Sequence, residues 1–264
     1  MLVGMGAAGQ MGGINQGSSM REVINALGLT TNLKLLLDAG DLASVASGTQ
    51  DKWTDLSGGG YDFYRGTGTG SDAADPTFNG TVGGQSSGEY WSFDGGDYFT
   101  YDSVSEAWMN NLHKDGARFT VAMWVQLPAS GGQIFLVSSY QATVAGITLK
   151  SSLASNHIEF RVGNGGDAFL ATKTGTAHTG AWVFVGLSVD ESGNSCLWNV
   201  NGSTQADACT YLSPSTGAAD IPMTLLSSGA ADKRAASLAM WEGTALSAAN
   251  LAALFAATRG KFGV

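Results

Sequence analysis

The chain has 264 residues, of which 44% are hydrophobic and only 13% charged, with 38 glycines and 4 prolines; it is too apolar for disorder and rich enough in turn formers for one large all-β domain. A formal net charge of -9 with 13 Lys+Arg and no basic stretch excludes the phosphate-neutralising surface that nucleic acid requires. The first basic residue is Arg21 and no run of about 18 apolar residues occurs, so the sequence predicts neither a secretory leader nor a membrane span, and a protein made in a cytoplasm.

Residues 1–17, MLVGMGAAGQMGGINQG, hold six glycines and no charge, a composition that gives a mobile or partner-ordered arm. Within it GMGAAG, Gly4 to Gly9, matches the dinucleotide-binding G-x-G-x-x-G pattern. Only three residues precede it and QMGG follows where a helix should begin, so the strand–turn–helix setting of a nucleotide site is missing. Ser19 then opens a capping box with Glu22, and Met20, Val23, Ile24 and Leu27 follow at helical spacing until Gly28, which predicts a short amphipathic helix.

After this helix the pattern is strand upon strand. LKLLLDAG, YWSFDG, RFTVAMWVQL, QIFLVSSY, GITLKSS, HIEFRVGNGG, AFLATKT, AWVFVGLSVD, CLWNVNG and ASLAMWEG are apolar or alternating runs separated by Gly, Asn, Asp and Ser, the residues of turns. WSFDGGDYFT, residues 91–100, reads as two strands joined by Asp94 to Asp97, with Gly95 and Gly96 supplying positive φ angles. In RFTVAMWVQL, Phe119, Val121, Met123, Val125 and Leu127 share one face, and Thr120, Ala122 and Gln126 the other. Near the end Ser247 is an N-cap, Leu246 and Leu251 are placed as a hydrophobic staple, and a second helix runs to a stop at Gly260. The fold class is therefore all-β: a two-sheet antiparallel sandwich with a short N-terminal helix and a C-terminal helix.

The two cysteines, Cys196 and Cys209, flank a hairpin around Asn201-Gly202. With a two-residue turn, Cys196 faces Asp207 and lies diagonal to Cys209, about 7 Å or more away and too far for a relaxed disulfide. With a four-residue loop, Asn201 to Thr204, the cysteines face each other. The Asn-Gly pair favours the first register and so favours reduced thiols, in keeping with the scarcity of disulfides in cytoplasm-made proteins.

The order of these pieces resembles the concanavalin A-like lectin/glucanase superfamily in its laminin-G-like form. The resemblance rests on LKLLLDAGD, WTDLSGGG at Trp53 to Gly60, and YWSFDGGDYFT before FTVAMWVQL. It continues through WVFVGLSVDESGNSCLWNVNG and MWEGTALSAANLAALFAATRGKFG, and covers about residues 32 to 264. It implies a jelly-roll sandwich at 32–264, preceded by an anchoring segment at 1–31. Such domains serve in lectins, adhesins, polysaccharide enzymes and bacteriophage virion proteins, so function has to come from sites.

Glycoside hydrolysis needs two carboxylates a few ångströms apart, and the alternating acids carried on one strand by the superfamily's glucanases do not occur here; no catalytic residue is assigned. No cofactor is required, and calcium is the one ion the residues bring to mind. Asp94, Asp97, Asp190 and Asn194 are its candidate ligands, although Asp, Asn and Gly are also what turns demand. His113, His157 and His178 lack zinc spacing and read as surface or strand residues. Trp53, Tyr61 and Tyr64 are candidate sugar-stacking residues, whereas Trp124, Trp182 and Trp241 lie in strands and read as core.

The arm and the resemblance together imply a non-enzymatic bacteriophage structural protein, a capsid decoration or tail-fibre-type component. It would be oligomeric on the particle, held to other virion proteins by its arm, with a lectin-like face turned to host glycans. The alternatives are a bacterial-surface carbohydrate-binding module or adhesin, and a polysaccharide-degrading enzyme.

Overall fold

The structure, a computed structural model, describes residues 18–264 apart from 47–50, 69, 85, 87, 105, 130–131, 141–144, 153–155, 165–167, 175–179, 213, 220 and 228–229. The glycine-rich arm at 1–17 and His178 lie outside the described residues. In chain order the elements are α1 (Met20–Ala26), β1 (Leu33–Asp38), β2 (Lys52–Trp53), β3 (Phe63–Arg65), β4 (Thr77–Asn79), β5 (Tyr90–Phe93), β6 (Phe99–Thr100), α2 (Ala107–Asn111) and β7 (Arg118–Gln126). There follow β8 (Gln133–Ser138), β9 (Ala145–Ser152), β10 (His157–Asn164), β11 (Ala168–Thr174), β12 (Trp182–Asp190), β13 (Ser195–Val200), β14 (Ser203–Asp207), β15 (Thr224–Ser227), β16 (Lys233–Glu242) and α3 (Ala248–Thr258).

The strands form two eight-stranded sheets in which every pairing is antiparallel. The first runs β14-β13-β12-β7-β16-β5-β4, with β1 also on β16, and the second runs β11-β10-β9-β8-β15-β6-β3-β2. The first half of β16 pairs with β5 and its second half with β1, so this long strand seams both ends of the chain's early region into the sheet.

Strand alternation builds two cores. Phe119, Val121, Met123, Val125 and Leu127 face the second sheet and join the main core between the sheets. Ala122 and Trp124, on the opposite face of the same strand, join a second core with Met20, Val23 and Ile24 of α1 and Leu251, Leu254 and Phe255 of α3. Sequence alternation sees one buried face; β7 is buried on both because helices cover the first sheet's outer side.

The helix signals act as predicted at their starts. Ser19 Oγ accepts from Glu22 N at 3.2 Å while Glu22 Oε2 accepts from Ser19 N at 2.8 Å, and Ser247 Oγ accepts from Asn250 N at 3.2 Å. The predicted stop at Gly260 is displaced. A 3-10 turn at Arg259–Lys261 carries the chain through it, and Gly263 takes the left-handed φ of 68° instead. Within the segment 1–31, α1 packs through Met20, Val23 and Ile24 into the second core. Sequence reasoning missed α2, which at five residues is too short to show a helical period.

Two local expectations are corrected. Asp94 to Asp97 does not close a hairpin: β5 belongs to the first sheet and β6 to the second, so the segment is the crossing between them. Neither Gly95 nor Gly96 has a positive φ. The turn is closed instead by Asp97 N donating to Asp94 O at 2.8 Å and Asp94 N donating to Asp97 Oδ2 at 2.9 Å. The Asn201-Gly202 hairpin has the predicted two-residue register, with φ of 48° and 82° and Cys196 opposite Asp207. Yet Cys196 and Cys209 form a disulfide across 5.2 Å between Cα atoms, contrary to the expected thiols. The diagonal distance assumes a straight strand, whereas β14 ends at Asp207 and the chain bends so that Cys209 N donates to Asn194 Oδ1 at 2.8 Å.

Candidate functional site

The helices sort the two outer faces of the sandwich. Those of α1 and α3 pack with the outer side of the first sheet, and α2 places Trp108 and Met109 at the edge of the main core. Among the described residues no helix covers the outer side of the second sheet, here called its open face, although only part of it reaches the surface: Ser138, Thr148, Lys150, Ser152 and Glu159 are buried, whereas Tyr64, Thr100, Thr224 and Arg161 are half-buried.

Register determines what that face presents. Lys52 pairs with Tyr64, Tyr64 with Thr100, Thr100 with Thr224, Thr224 with Ser138, Ser138 with Thr148, and Thr148 with Arg161. These seven positions form one row across seven of the eight strands. Their chain neighbours Trp53, Phe63, Phe99, Leu225, Val137, Ile147, Leu149, Phe160 and Val162 point the other way into the core, which is what fixes the row outward. The row therefore carries an aromatic ring, a run of hydroxyls and a cation at each end. Adjacent strands are about 4.8 Å apart, so Tyr64 and Arg161, five strands apart, are separated by about 24 Å.

Beside Arg161 lies a charged cluster. Glu159 receives Lys150 Nζ at 3.0 Å and His157 Nε2 at 3.0 Å, and also pairs with Arg161 Nε. The Glu159 and Lys150 side chains are 7% and 6% exposed, while that of Arg161 is 36% exposed, so a buried pair supports a guanidinium at the surface. Burial alone would push the Glu159 carboxyl up, but hydrogen bonds from His157 and Lys150 and the charges of Lys150 and Arg161 hold it below its ordinary value. At the other end of the row Lys52 pairs with Asp62.

The sugar-stacking candidates separate by strand parity. Trp53 is buried, with its ring 6.2 Å from Trp91 and 5.4 Å from Phe99, and is a core residue rather than a platform. Tyr61 is partly buried against Trp108 at 5.3 Å and Tyr101 at 6.1 Å. Tyr64 alone of the three stands on the open face. Trp124 and Trp241 are fully buried, as expected of core; Trp182 is half-buried, against Phe262 at 4.9 Å. His113 is buried rather than at the surface, with Nε2 3.0 Å from Gly217 O, and burial lowers its pKa.

The calcium candidates fall at opposite ends of the first sheet. Asp190 pairs with Arg118 at one end of β7, and Lys233, which binds the Asp94–Asp97 crossing, starts β16 beside the other end. Nine residues of β7 span about 27 Å, so the four side chains cannot share one ion. Asp190 pairs with Arg118 at 3.3 Å and accepts from Gly193 N at 3.1 Å. Asn194 Oδ1 accepts from Cys209 N and Thr210 Oγ1. Among the described residues no three His, Cys, Asp or Glu side chains gather into a metal-binding group.

The crossing has its own electrostatics. Lys233 is fully buried; its Nζ donates to Leu226 O at 2.7 Å and Asp97 O at 3.3 Å. Burial lowers its pKa to about 8 and raises that of Asp97 to about 6. For Asp97 the folded value lies above the unfolded one of about 3.9. Its contribution to stability is thus full below pH 4 and lost as pH rises through 6. Asp97→Asn is therefore expected to shrink the stability difference between pH 4.5 and 7.5 measured by urea unfolding; an unchanged difference would refute this assignment.

The family profile Laminin_G_3, described as concanavalin A-like lectin/glucanases superfamily, matches residues 93–243, more than half of the chain. No curated protein sequence matches the chain. Among solved structures, the binding domain of botulinum neurotoxin DC in complex with SialylT is similar at 12% identity and TM-score 0.60, covering 86% of this chain and 52% of that one. The botulinum neurotoxin type G receptor binding domain is similar at 13% identity and TM-score 0.57, covering 85% and 51%. The Trypanosoma rangeli sialidase is similar at 14% identity and TM-score 0.53, covering 85% and 32%. The chain thus spans about half the length of the toxin domains and a third of the sialidase, and at these identities the likeness is one of fold. Among the described residues no helix is long and apolar enough to cross a membrane. The profile match, the two antiparallel sheets and the jelly-roll neighbours agree: this chain belongs to the concanavalin A-like lectin/glucanases superfamily.

Proposed function

We propose that this protein binds glycans, without catalysis, through the open face of its second sheet. The observation that carries this reading is the cross-sheet row Lys52–Tyr64–Thr100–Thr224–Ser138–Thr148–Arg161. It brings a stacking ring, the half-buried hydroxyls of Thr100 and Thr224 and a cation to the surface of a rigid sheet, with Ser138 and Thr148 buried between them. The toxin domain solved with SialylT supports the same class of ligand. Against hydrolysis stands the placement of this face's carboxylates. Glu159 and Asp62 are both ion-paired and lie five strands apart, more than about 20 Å and beyond the 5–10 Å of glycosidase pairs.

A glycan array, run with and without calcium, is the test. Tyr64→Ala is expected to weaken the captured glycan about tenfold, the loss of roughly 1.4 kcal/mol of ring contact, while Tyr64→Phe retains it. Capture of no glycan would overturn the reading.

Within this reading we place the protein on a bacteriophage particle, as a capsid decoration or tail-fibre-type component present in several copies. The uncharged glycine-rich arm supports it, and because α1 is committed to the second core, attachment falls to residues 1–17. Deleting residues 2–17 is expected to leave folding and glycan capture intact and to abolish incorporation into particles; full occupancy by the truncated protein would instead favour a free carbohydrate-binding module or adhesin.

A further inference from the structure

We infer that the open face is specific for carboxylated saccharides, and that Arg161 is the residue that holds the carboxylate. This rests on the glycan-binding reading and names its ligand class. Arg161 Nε is ion-paired with Glu159 without a hydrogen bond, and its two terminal amino groups have no protein partner among the described residues. A guanidinium with that edge free presents two parallel N–H donors, the geometry that a carboxylate accepts in bidentate fashion.

The surrounding charge leaves that cation uncompensated. One carboxylate, Glu159, is shared among Lys150, His157 and Arg161. Lys150 alone balances it, so the cluster carries a surplus positive charge on a chain whose net charge is -9. Phe135 and Gln133 are the cross-strand partners of Lys150 and Ser152, and Gln133 Oε1 lies 3.4 Å from Lys150 Nζ; neither brings an opposing charge. Glu159 and Lys150 lie beneath the surface and Arg161 at it, so the buried pair fixes the direction in which the guanidinium points.

A second observation lies in the same row. Thr148, the cross-strand partner of Arg161, is 1% exposed, and its Oγ1 has no hydrogen-bond partner among the described residues. A buried hydroxyl left unpaired is costly, and this one lies beneath the surface beside the cationic edge, an unmet polar group in the floor under Arg161. Beyond it Ser138 is buried too, its Oγ donating to Tyr140 O, and the half-buried Thr224 and Thr100 lead on to Tyr64. The carboxylated residue of an oligosaccharide would therefore lie at Arg161 and its neutral residues toward Thr224, Thr100 and Tyr64.

The experiment compares sialyllactose and trigalacturonate with their methyl esters, which keep the shape and remove the charge, by calorimetric titration of the full chain at low and high salt. The free acid of at least one pair is expected to bind at least tenfold more tightly than its ester at low salt, with the preference narrowing at high salt. Arg161→Gln should erase the preference and Arg161→Lys keep part of it, while Tyr64→Ala weakens acid and ester alike. Circular dichroism of each variant confirms that the sheets are intact, and Arg161→Lys carries the comparison if Arg161→Gln does not fold. Equal binding of acid and ester, or an Arg161→Gln protein that keeps the preference, would overturn the carboxylate assignment and leave glycan binding standing. Binding of no saccharide, or a self-association through this face that Arg161→Gln disrupts in its place, would overturn both.

Discussion

Trp124→Ala is expected to lower the melting temperature by roughly 6–20 °C, from a loss of about 3–5 kcal/mol at about 2–4 °C per kcal/mol for a chain of this size. The residue is fully buried. Its ring lies 5.5 Å from Phe184, 6.0 Å from Phe255 and 4.3 Å from Phe262, so one side chain joins β7, β12, α3 and the C-terminal turn. Its Nε1 donates to Thr258 Oγ1 at 2.7 Å, and that hydroxyl donates in turn to Leu254 O at 2.7 Å. Removing the indole opens a cavity under α3 and leaves the hydroxyl with one partner fewer. Trp124→Phe restores much of the volume without the donor and should lose about 1 kcal/mol from that bond plus a smaller packing term. Calorimetric melting of the two variants separates the contributions. A shift below 2 °C for Trp124→Ala would show that the second core does not stabilise the fold.

That core also shows where the sequence speaks and where it is silent. The capping box at Ser19, the N-cap at Ser247, the strand alternation and the Asn201-Gly202 turn are local, each written within a few neighbouring residues, and each appears in the structure. Which sheet a strand joins is not local. Asp94-Gly95-Gly96-Asp97 has the composition of a hairpin, but β5 and β6 are drawn apart by β16 and by β3 and β15 respectively. Nothing between Trp91 and Thr100 could reveal those partners.

Parity in the sequence makes part of the candidate site legible, and the strand register supplies the rest. Phe63 and Tyr64 are adjacent, so only one can face the core, and the fully buried Phe63 turns Tyr64 outward; the partner register Trp53 with Phe63 then takes Trp53 inward with it. The charged cluster was readable as well, since HIEFRV alternates polar His157, Glu159 and Arg161 with apolar Ile158, Phe160 and Val162. What the alternation lacks is Lys150, which reaches Glu159 only through the pairing of β9 with β10. The calcium candidates failed to converge for the opposite reason: their turns are alike in composition and far apart in the sheet.

Removing the Cys196–Cys209 bridge is expected to cost about 3 kcal/mol, the loop-closure term for a loop of this length, and to lower the melting temperature by roughly 6–12 °C. The bridge closes a sequence separation of 13 residues, and both cysteines are fully buried in the main core. Reductant should therefore act slowly on the native protein, and the Cys196→Ala/Cys209→Ala double variant is the direct comparison. Its effect should also be uneven. Just beyond the bridge Tyr211 N donates to Glu191 Oε1 at 3.2 Å and Tyr211 Oη donates to Leu112 O at 2.9 Å. Further on, Ala219 N donates to Asn110 Oδ1 at 2.9 Å, so this stretch ties the sandwich rim to α2. Without the cross-link the described amides of 208–219 should gain hydrogen exchange first, while those of β7 and β12 in the middle of the first sheet keep theirs. A uniform rise in exchange across both regions would mean that the bridge stabilises the sandwich only as a whole. An unchanged melting temperature would mean that the hydrogen bonds the segment donates to Asn194 and Glu191 hold it without the bridge.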